Sequence, residues 1–360
     1  MLLGASMKKK QIRRLLTYAL LFTGMMSTTS FAQTDIHVLD VDQGLSVLIE
    51  SQGHYMLYDG GDSSKSSYVV SYLQKEGITS LDYVVASHYD SDHLNGIVGA
   101  LNVFPTTNVW GPDYTADTKV FQSFQSIVSE KKLTVKQPSV GSLYKLGDAS
   151  IQVLSPSGDD YSDVNNYSIA IRIQDGDTSF LITGDAESES EEEMVSSKLN
   201  LDSDVYIMGH HGSGTSTSWG LLQQSTPEYA ILSCGDGNSY GHPHIESMEK
   251  LEEMEIHLFR TDKQGNIVAS TDGKTITWNI EPCDNYTPGD KNDQPAQPQK
   301  EYSSVSSSAT TAEVYWTPNG KSYHSRQSCS TLKRSKTILN GSLNDALAAG
   351  KLDPCNICVK

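Results

Sequence analysis

LDYVVASHYDSDHLNG, residues Leu81 to Gly96, decides how the chain is read. An apolar run ends at His88, and His88, Asp90, Asp92 and His93 then fall within six positions. Ile97, Val98 and Leu101 follow on one face of a helix expected over Leu94 to Asn102. Four potential ligands therefore occupy a turn between a buried strand and a helix, where alternate side chains can be aimed at one point. Imidazole combined with carboxylate suits zinc or manganese better than an all-oxygen magnesium site. The competing reading is a solvated loop in which Asp92 caps the helix.

Working outward, the same punctuation recurs. FLITGD (180–185) ends an apolar strand at Asp185, which alone would pass for a helix cap. IMGHHGS ends the next strand with His210 and His211, and SYGHPH places His242 and His244 in a further strand-exit loop. IHVLDV, SVLIES and HYMLYDGG precede the central motif as period-two strands. NVW, SIQVLSP, YSIAIRIQ, TSFLITGD and DVYIMGHH follow it, then EIHLFRT, GNIVAST and KTITWNI. Helices are expected over Ser67–Glu76, 187–199 and 244–254, with Glu187–Glu193 as an acidic surface face. Strands of period two punctuated by helices indicate an α/β chain of two sheets covered by helices. Polar clusters at successive strand ends build one rim, as a binuclear metal site requires.

The ordered set LDVDQGLSVLIE, YDGGD, SHYDSDHLNG, NNYS, FLITGD, HHGS and YGHPH resembles the metallo-β-lactamase superfamily over residues 35–280, and within it the ComEC-like branch. The resemblance implies an αββα sandwich with two divalent metals, zinc or manganese, at one edge. It implies that His88 and Asp90 serve one metal, that Asp92 and His93 serve the other, and that Asp185 bridges them. The usual second His of the motif is Asp90 here. The usual third-motif His is replaced by Asn165-Asn166-Tyr167-Ser168, with Asn165 as a weak ligand. His242 would be the last ligand. The His210–His211 pair would be a substrate-side element or an outer support of the ligands, one ring poised on the leaving group or phosphate, and Asp92, His210 and His211 are the catalytic candidates. Asp59 would orient the metal loop from behind. His244 is expected to be a satisfied surface histidine, and His37, His54 and His257 receive no role.

Charge locates the parts. The 360 residues carry 27 basic and 44 acidic side chains, a net −17. Five basic residues and no acid lie in 1–32, and seven basic against three acidic in 313–360, which leaves 15 against 41 for residues 33–312. Such a surface argues against wrapping a polyanion through basic patches. Lys8 to Arg14, the apolar run Leu15–Met26 and Ser-Phe-Ala at 30–32 read as a signal peptide over 1–32, with an uncleaved anchor as the alternative. No later run is apolar enough for a membrane helix, so the mature chain is expected to be secreted or surface-exposed, without a transmembrane domain. Residues 33–283 form the hydrolase domain in this reading. The Pro-, Gln-, Ser- and Thr-rich stretch 284–312 is a linker, and 313–360 a separate small module.

A module of that size needs a staple. His324, Cys329, Cys355 and Cys358 offer a closed tetrahedral set for one structural zinc; a disulfide among the three cysteines is the alternative. The stretch resembles the Ada-like metal-binding module. Its basic excess could hold nucleic acid or an anionic cell-wall polymer, or be a solvated face. Cys234 and Cys283 either pair or remain thiols. The expected function is metal-dependent hydrolysis of a phosphodiester, DNA being the first substrate considered. A phosphorylcholine or teichoic-acid esterase and a binding module with a degenerate site are the alternatives.

Overall fold

In the computed structural model, which describes residues 33–289 and, within 313–359, all but 319, 334, 350, 352 and 356, the period-two runs become two β-sheets. The stretch read as a signal peptide and residues 290–312 of the linker lie outside the described residues. The elements run β1 (Thr34–Val38), β2 (Val47–Ser51), β3 (His54–Tyr58), α1 (Ser66–Lys75), β4 (Leu81–Val85), α2 (Ser91–Val103), β5 (Thr106–Trp110) and α3 (Lys119–Glu130). They continue through β6 (Val135–Lys136), β7 (Leu143–Leu146), β8 (Ala149–Val153), β9 (Ile171–Asp175), β10 (Thr178–Ile182) and α4 (Ser188–Ser196). Next come β11 (Val205–Ile207), α5 (Trp219–Ser225), β12 (Tyr229–Leu232), α6 (Ile245–Glu253), β13 (His257–Arg260), α7 (Thr261–Gln264), β14 (Ile267–Thr271) and β15 (Ile276–Trp278). One sheet has the order β15-β14-β1-β2-β3-β4-β5-β6 and the other β13-β12-β11-β10-β9-β8-β7.

Alternation explains the layering. Ile36, Val38, Ile49, Met56 and Val85 face Ile151, Ile171, Ile173, Phe180, Ile182 and Ile231 across the space between the sheets. The opposite face of the first sheet, with Leu48, Leu57 and Val84, buries Val69 and Leu73 of α1, Leu94 and Ile97 of α2, and Phe121 and Phe124 of α3. The opposite face of the second, with Leu181, Tyr206 and Ala230, buries Met194 of α4, Leu222 of α5 and Met248 of α6. This is the αββα sandwich. Each fully buried aliphatic or aromatic side chain contributes about 1.5–3 kcal/mol, so the three packed layers dominate stability.

Three local features differ from the sequence reading. Helix α3 is an additional element: Phe121, Phe124, Ile127 and Val128 make its buried stripe, and the Thr118 hydroxyl caps it by accepting the N–H of Phe121. In α4, read as an acidic surface, Glu191 is fully buried and accepts the N–H groups of Thr217 and Ser218 at 2.6 and 2.7 Å. The first residues of the linker stretch are packed rather than free. Tyr286 donates to the Ile256 carbonyl at 2.7 Å, the Arg260 guanidinium donates to the carbonyls of Asn285 and Thr287, and the Gly289 N–H reaches Pro243.

In the C-terminal part, β16 (Glu313–Trp316) pairs with β18 (Leu339–Ser342), and β17 (Ser322–Tyr323) with β19 (Asp353–Pro354). Helix α8 (Leu343–Ala348) starts with Ser342 and Asp345 capping each other reciprocally.

Candidate metal centre

Four strand ends deliver the site. Beyond β4 the chain carries Ser87 and His88 into the first turn of α2, which holds Asp92 and His93. The free N–H groups and dipole of that turn favour carboxylate there. Asp185 follows β10, His210 and His211 follow β11, and Ser233 follows β12. His210 and His211 both adopt left-handed backbone, with φ of 47° and 55°. That conformation costs energy in a non-glycine residue and is held here by the packed neighbours.

Asp59 organises the first half of the site. Its carboxylate is buried and accepts the Ser87 N–H at 2.8 Å, the Ser87 hydroxyl at 2.7 Å and His93 Nδ1–H at 2.8 Å. Because the Ser87 proton goes to Asp59, His88 must donate its own Nδ1–H to Ser87 Oγ, 3.0 Å away. His211 likewise donates Nδ1–H to the Ser233 carbonyl at 3.0 Å. All three imidazoles are thereby tethered through Nδ1, which leaves each Nε2 as the inward-facing atom.

Those Nε2 atoms meet acids and one another. His93 Nε2 stands 3.2 Å from His211 Nε2 and 3.1 Å from Asp185 Oδ2. His211 Nε2 is 3.3 Å from Asp185 Oδ2 and 3.4 Å from Asp92 Oδ2. Two imidazole lone pairs cannot face each other at that separation without a positive charge between or upon them. His88 Nε2 and Asp185 Oδ1 are buried with no hydrogen-bond partner. Orphaned buried donor atoms of this kind fit a divalent metal. The ligand atoms fall into two overlapping groups, His88–His93–Asp185 and Asp92–His93–His211, each within 4.8 Å.

Electrostatics within the cluster follow from this geometry. Burial pushes His88 down to about 4, helped by the neighbouring His93 charge. Burial also acts to lower His211, but the Asp185 carboxylate and its hydrogen bonds raise it to about 9. His93 is raised well above the ordinary histidine value, because Asp185, Asp59 and Asp92 outweigh its burial. Asp185 is held far below the usual carboxylate range by His211 and His93, against its own burial.

The remaining expected residues take different places. Asp90 is exposed, its Oδ2 3.9 Å from His88 Nε2. His210 stands beside the cluster with Nδ1 3.2 Å from Glu187 Oε1 and Nε2 3.8 Å from Asp185 Oδ2. The structure thus separates the His210–His211 pair: His211 enters the cluster and His210 flanks it. The His242 ring lies 5.5 Å from that of His210 and 6.2 Å from that of His211, at the rim. The Asn165 side chain makes no hydrogen bond to the cluster among the described residues; its N–H bonds Asp163. Polar work at this loop falls to its neighbours. Asn166 Oδ1 accepts the N–H groups of Glu187 and Ser190 at the start of α4, and Ser168 Oγ accepts the Asp185 N–H at 3.1 Å. His244 spends both ring nitrogens locally, on the Gly214 N–H and the Tyr240 carbonyl. His37 pairs with Tyr72, His54 with Asp82 and His257 with Asp284, all elsewhere.

Glu187, Ser233 and Gln43, whose Nε2 lies 3.2 Å from His242 Nδ1, are site residues that sequence reasoning missed. A charge partner for His210 was discoverable only once α4 could be oriented, and the other two act across long separations in the chain.

A second cluster joins His324, Cys329, Cys355 and Cys358. Cys329 Sγ lies 3.8 Å from Cys355 Sγ, and Cys358 Sγ lies 3.7 Å from His324 Nδ1. A disulfide needs about 2.05 Å. Two thiolates about 2.3 Å from a common tetrahedral zinc stand about 3.8 Å apart, so the donor set and spacing fit zinc. Cys234 and Cys283 are free thiols, and burial pushes Cys234 up to about 12. No helix among the described residues is long and apolar enough to cross a membrane.

The family model described as Metallo-beta-lactamase superfamily matches residues 39–236. The chain is 29% identical over 276 residues to ComE operon protein 3 of Bacillus subtilis, covering 70% of this chain and 35% of that protein. It is 32% identical over 237 residues to Recombination protein 2 of Haemophilus influenzae, covering 64% of this chain and 28% of that one. The chain therefore spans about a third of the length of these curated relatives. Among solved structures, the metallo-beta-lactamase fold protein YhfI from Bacillus subtilis aligns with a TM-score of 0.47 at 16% identity, over 67% of this chain and 100% of that chain.

Proposed function

The chain belongs to the metallo-β-lactamase superfamily, in its ComEC-like branch, and on that premise we propose that it is a metal-dependent phosphodiesterase acting on nucleic acid, DNA foremost. The observation that carries this reading is the convergence of three Nδ1-tethered imidazoles, His88, His93 and His211, on Asp185 and Asp92. These five residues would hold the cations, with exposed Asp90 at the margin. The chemistry that divalent cations supply there is activation of water and neutralisation of phosphate charge near neutral pH. A domain this acidic has to meet a phosphate through cations it holds, since its own surface offers few. One relative is named a recombination protein, which favours DNA among phosphodiesters.

The chain's own residues complete the site. Asp59 and the Ser233 carbonyl orient the ligand rings. His210 is one-fifth exposed and bonded through Nδ1 to Glu187, which also accepts the Thr215 hydroxyl at 2.8 Å. Its Nε2 faces the centre and is the atom that hands a proton to the departing alkoxide. We read the chain as exported, on the basic and apolar run of residues 8–26. Residues 313–360 read as an Ada-like module stapled by zinc through His324, Cys329, Cys355 and Cys358.

The test is direct. Protein stripped and reloaded with manganese or zinc should hydrolyse bis-p-nitrophenyl phosphate and nick plasmid DNA. An Asp92→Ala variant with unchanged turnover overturns the assignment. Turnover of a choline phosphodiester with none on DNA moves the substrate to the cell wall.

A further inference from the structure

The three central imidazoles share one wiring: Nδ1–H donates outward and Nε2 faces in. His242 is wired the opposite way. Its Nδ1 lies 3.2 Å from Gln43 Nε2, an amide NH₂ that can only donate. The orientation of that amide is fixed independently, because Gln43 Oε1 accepts the Gly235 N–H at 3.3 Å. Nδ1 of His242 is therefore an acceptor, and the ring proton sits on Nε2. An imidazole in this state offers a hydrogen bond at Nε2 where a ligand would offer a lone pair. The backbone of the residue is held at both ends: Asn238 Oδ1 accepts the His242 main-chain N–H at 3.1 Å, and Asn238 Nδ2 donates to the His242 carbonyl.

Position agrees with wiring. His242 falls outside both groups of converging ligand atoms. It instead lines a 540 Å³ cavity with Gly235, Gly237, Lys263 and Thr287. Tyr240, 65% exposed, stacks on its ring at 5.6 Å and 23°. The residue thus borders open space on the side away from the ligand cluster's shared atoms.

We propose that His242 is a substrate-side hydrogen-bond donor, its Nε2–H directed at a phosphate oxygen, and that Gln43 is the positioning residue that keeps it from acting as a metal ligand. The proposal rests on the phosphodiesterase reading for the identity of its acceptor. The assignment of His242 as a non-ligand stands apart from it.

The experiment compares the full chain with His242→Ala, Gln43→Glu and Asp185→Asn, each loaded with zinc and dialysed. Metal per chain, and kcat and KM on bis-p-nitrophenyl phosphate, are measured together. His242→Ala should keep the wild-type metal content while kcat falls about 100-fold, the loss expected for one transition-state donor; Asp185→Asn should lose metal. Gln43→Glu accepts Nδ1–H and turns the Nε2 lone pair outward, so turnover should fall while metal content holds or rises. Ring ¹⁵N shifts of His242 should report Nε2–H in the wild type and Nδ1–H in Gln43→Glu. A His242→Ala chain that loses as much metal as Asp185→Asn overturns the proposal, as does an Nδ1–H signal in the wild type. A wild-type chain inactive on every phosphodiester defeats the functional reading, while the metal counts and the ¹⁵N shifts still decide the role of His242.

Discussion

Nδ1 of His93 lies 2.8 Å from Oδ2 of Asp59, and neither side chain has any exposure to solvent. The same carboxylate takes both Ser87 donors and so aims His88 as well. One acid therefore sets the direction of two ligand rings without itself facing the metal position.

Asp59→Asn keeps the shape and removes the charge that stabilises both tethers. Metal affinity should fall about 10–100-fold, the usual loss when the outer partner of a ligand histidine is changed. Competition titration against a chelator measures this, with far-UV circular dichroism unchanged. Unaltered affinity would remove Asp59 from the site.

Metal removal should expose a pH dependence. His211, raised to about 9 from 6.5, contributes stability that is fully present below 6.5 and lost as pH rises through 9. Asp185 and Asp92, held below the carboxylate range by His93 and His211 in spite of burial, contribute stability above that range that is lost on acidification. The melting temperature of chelated protein should therefore drop between pH 7 and 10 more steeply than that of metal-loaded protein, in which cations replace those protons. Zinc uptake at pH 7.5 should release protons, read by calorimetry in two buffers of different ionisation enthalpy. Parallel melting curves and no proton release would contradict the protonated cluster.

His210 and Glu187 should matter in proportion to the leaving group. Loss of a general acid costs about 10²–10⁴-fold where the departing oxygen needs a proton. His210→Ala should therefore cripple hydrolysis of DNA while sparing bis-p-nitrophenyl phosphate, whose leaving group departs as a stable phenolate. Glu187→Gln should show the same contrast more weakly. Equal losses on both substrates would assign His210 to substrate or metal binding.

The C-terminal cluster should hold its metal independently. Cys355→Ser should release one zinc per chain by elemental analysis, since this thiol is fully buried beside Cys329. Phosphodiesterase activity should be retained. An unchanged zinc count would return the cysteines to a non-metal role.

Asn166→Ala should cost about 0.5–2 kcal/mol, the range for a lost helix cap, because its Oδ1 accepts both the Glu187 and Ser190 N–H groups at the start of α4. Chemical denaturation measures this. A smaller loss means that water replaces the amide.

What the sequence made legible followed from periodicity. Ile36, Val38 and Ile49 alternate with His37 and Leu48 strongly enough to declare two-faced strands, and strand-end polar clusters announce a rim. Phe121, Phe124 and Ile127 carried the same kind of signal for α3, in a segment whose serines and glutamines disguise it. The separation of His210 from His211 was not legible. Adjacent residues point apart here because both take left-handed backbone, a choice imposed by the packing of the loop. Gln43 and His242 are 199 positions apart, and only the packing of one loop against another joins them. Asn165 and Asn166 are chemically identical, so only the turn through Val164–Tyr167 decides which of them is buried.

Gly60 and Gly96 touch backbone to backbone: a Cβ on Gly96 would stand 1.9 Å from the Gly60 carbonyl oxygen, and one on Gly60 2.4 Å from the Ile97 nitrogen. That contact fixes how closely the Asp59 loop approaches the turn bearing His93, with the Gly60 N–H bonded to the His93 carbonyl at 2.7 Å. In a saturation mutagenesis screen, alanine at either glycine should score like loss of a ligand, although neither position carries a functional group. Tolerance maps of this domain will therefore mark two chemically silent sites as essential, because the thickness of a methyl group is enough to detune the centre.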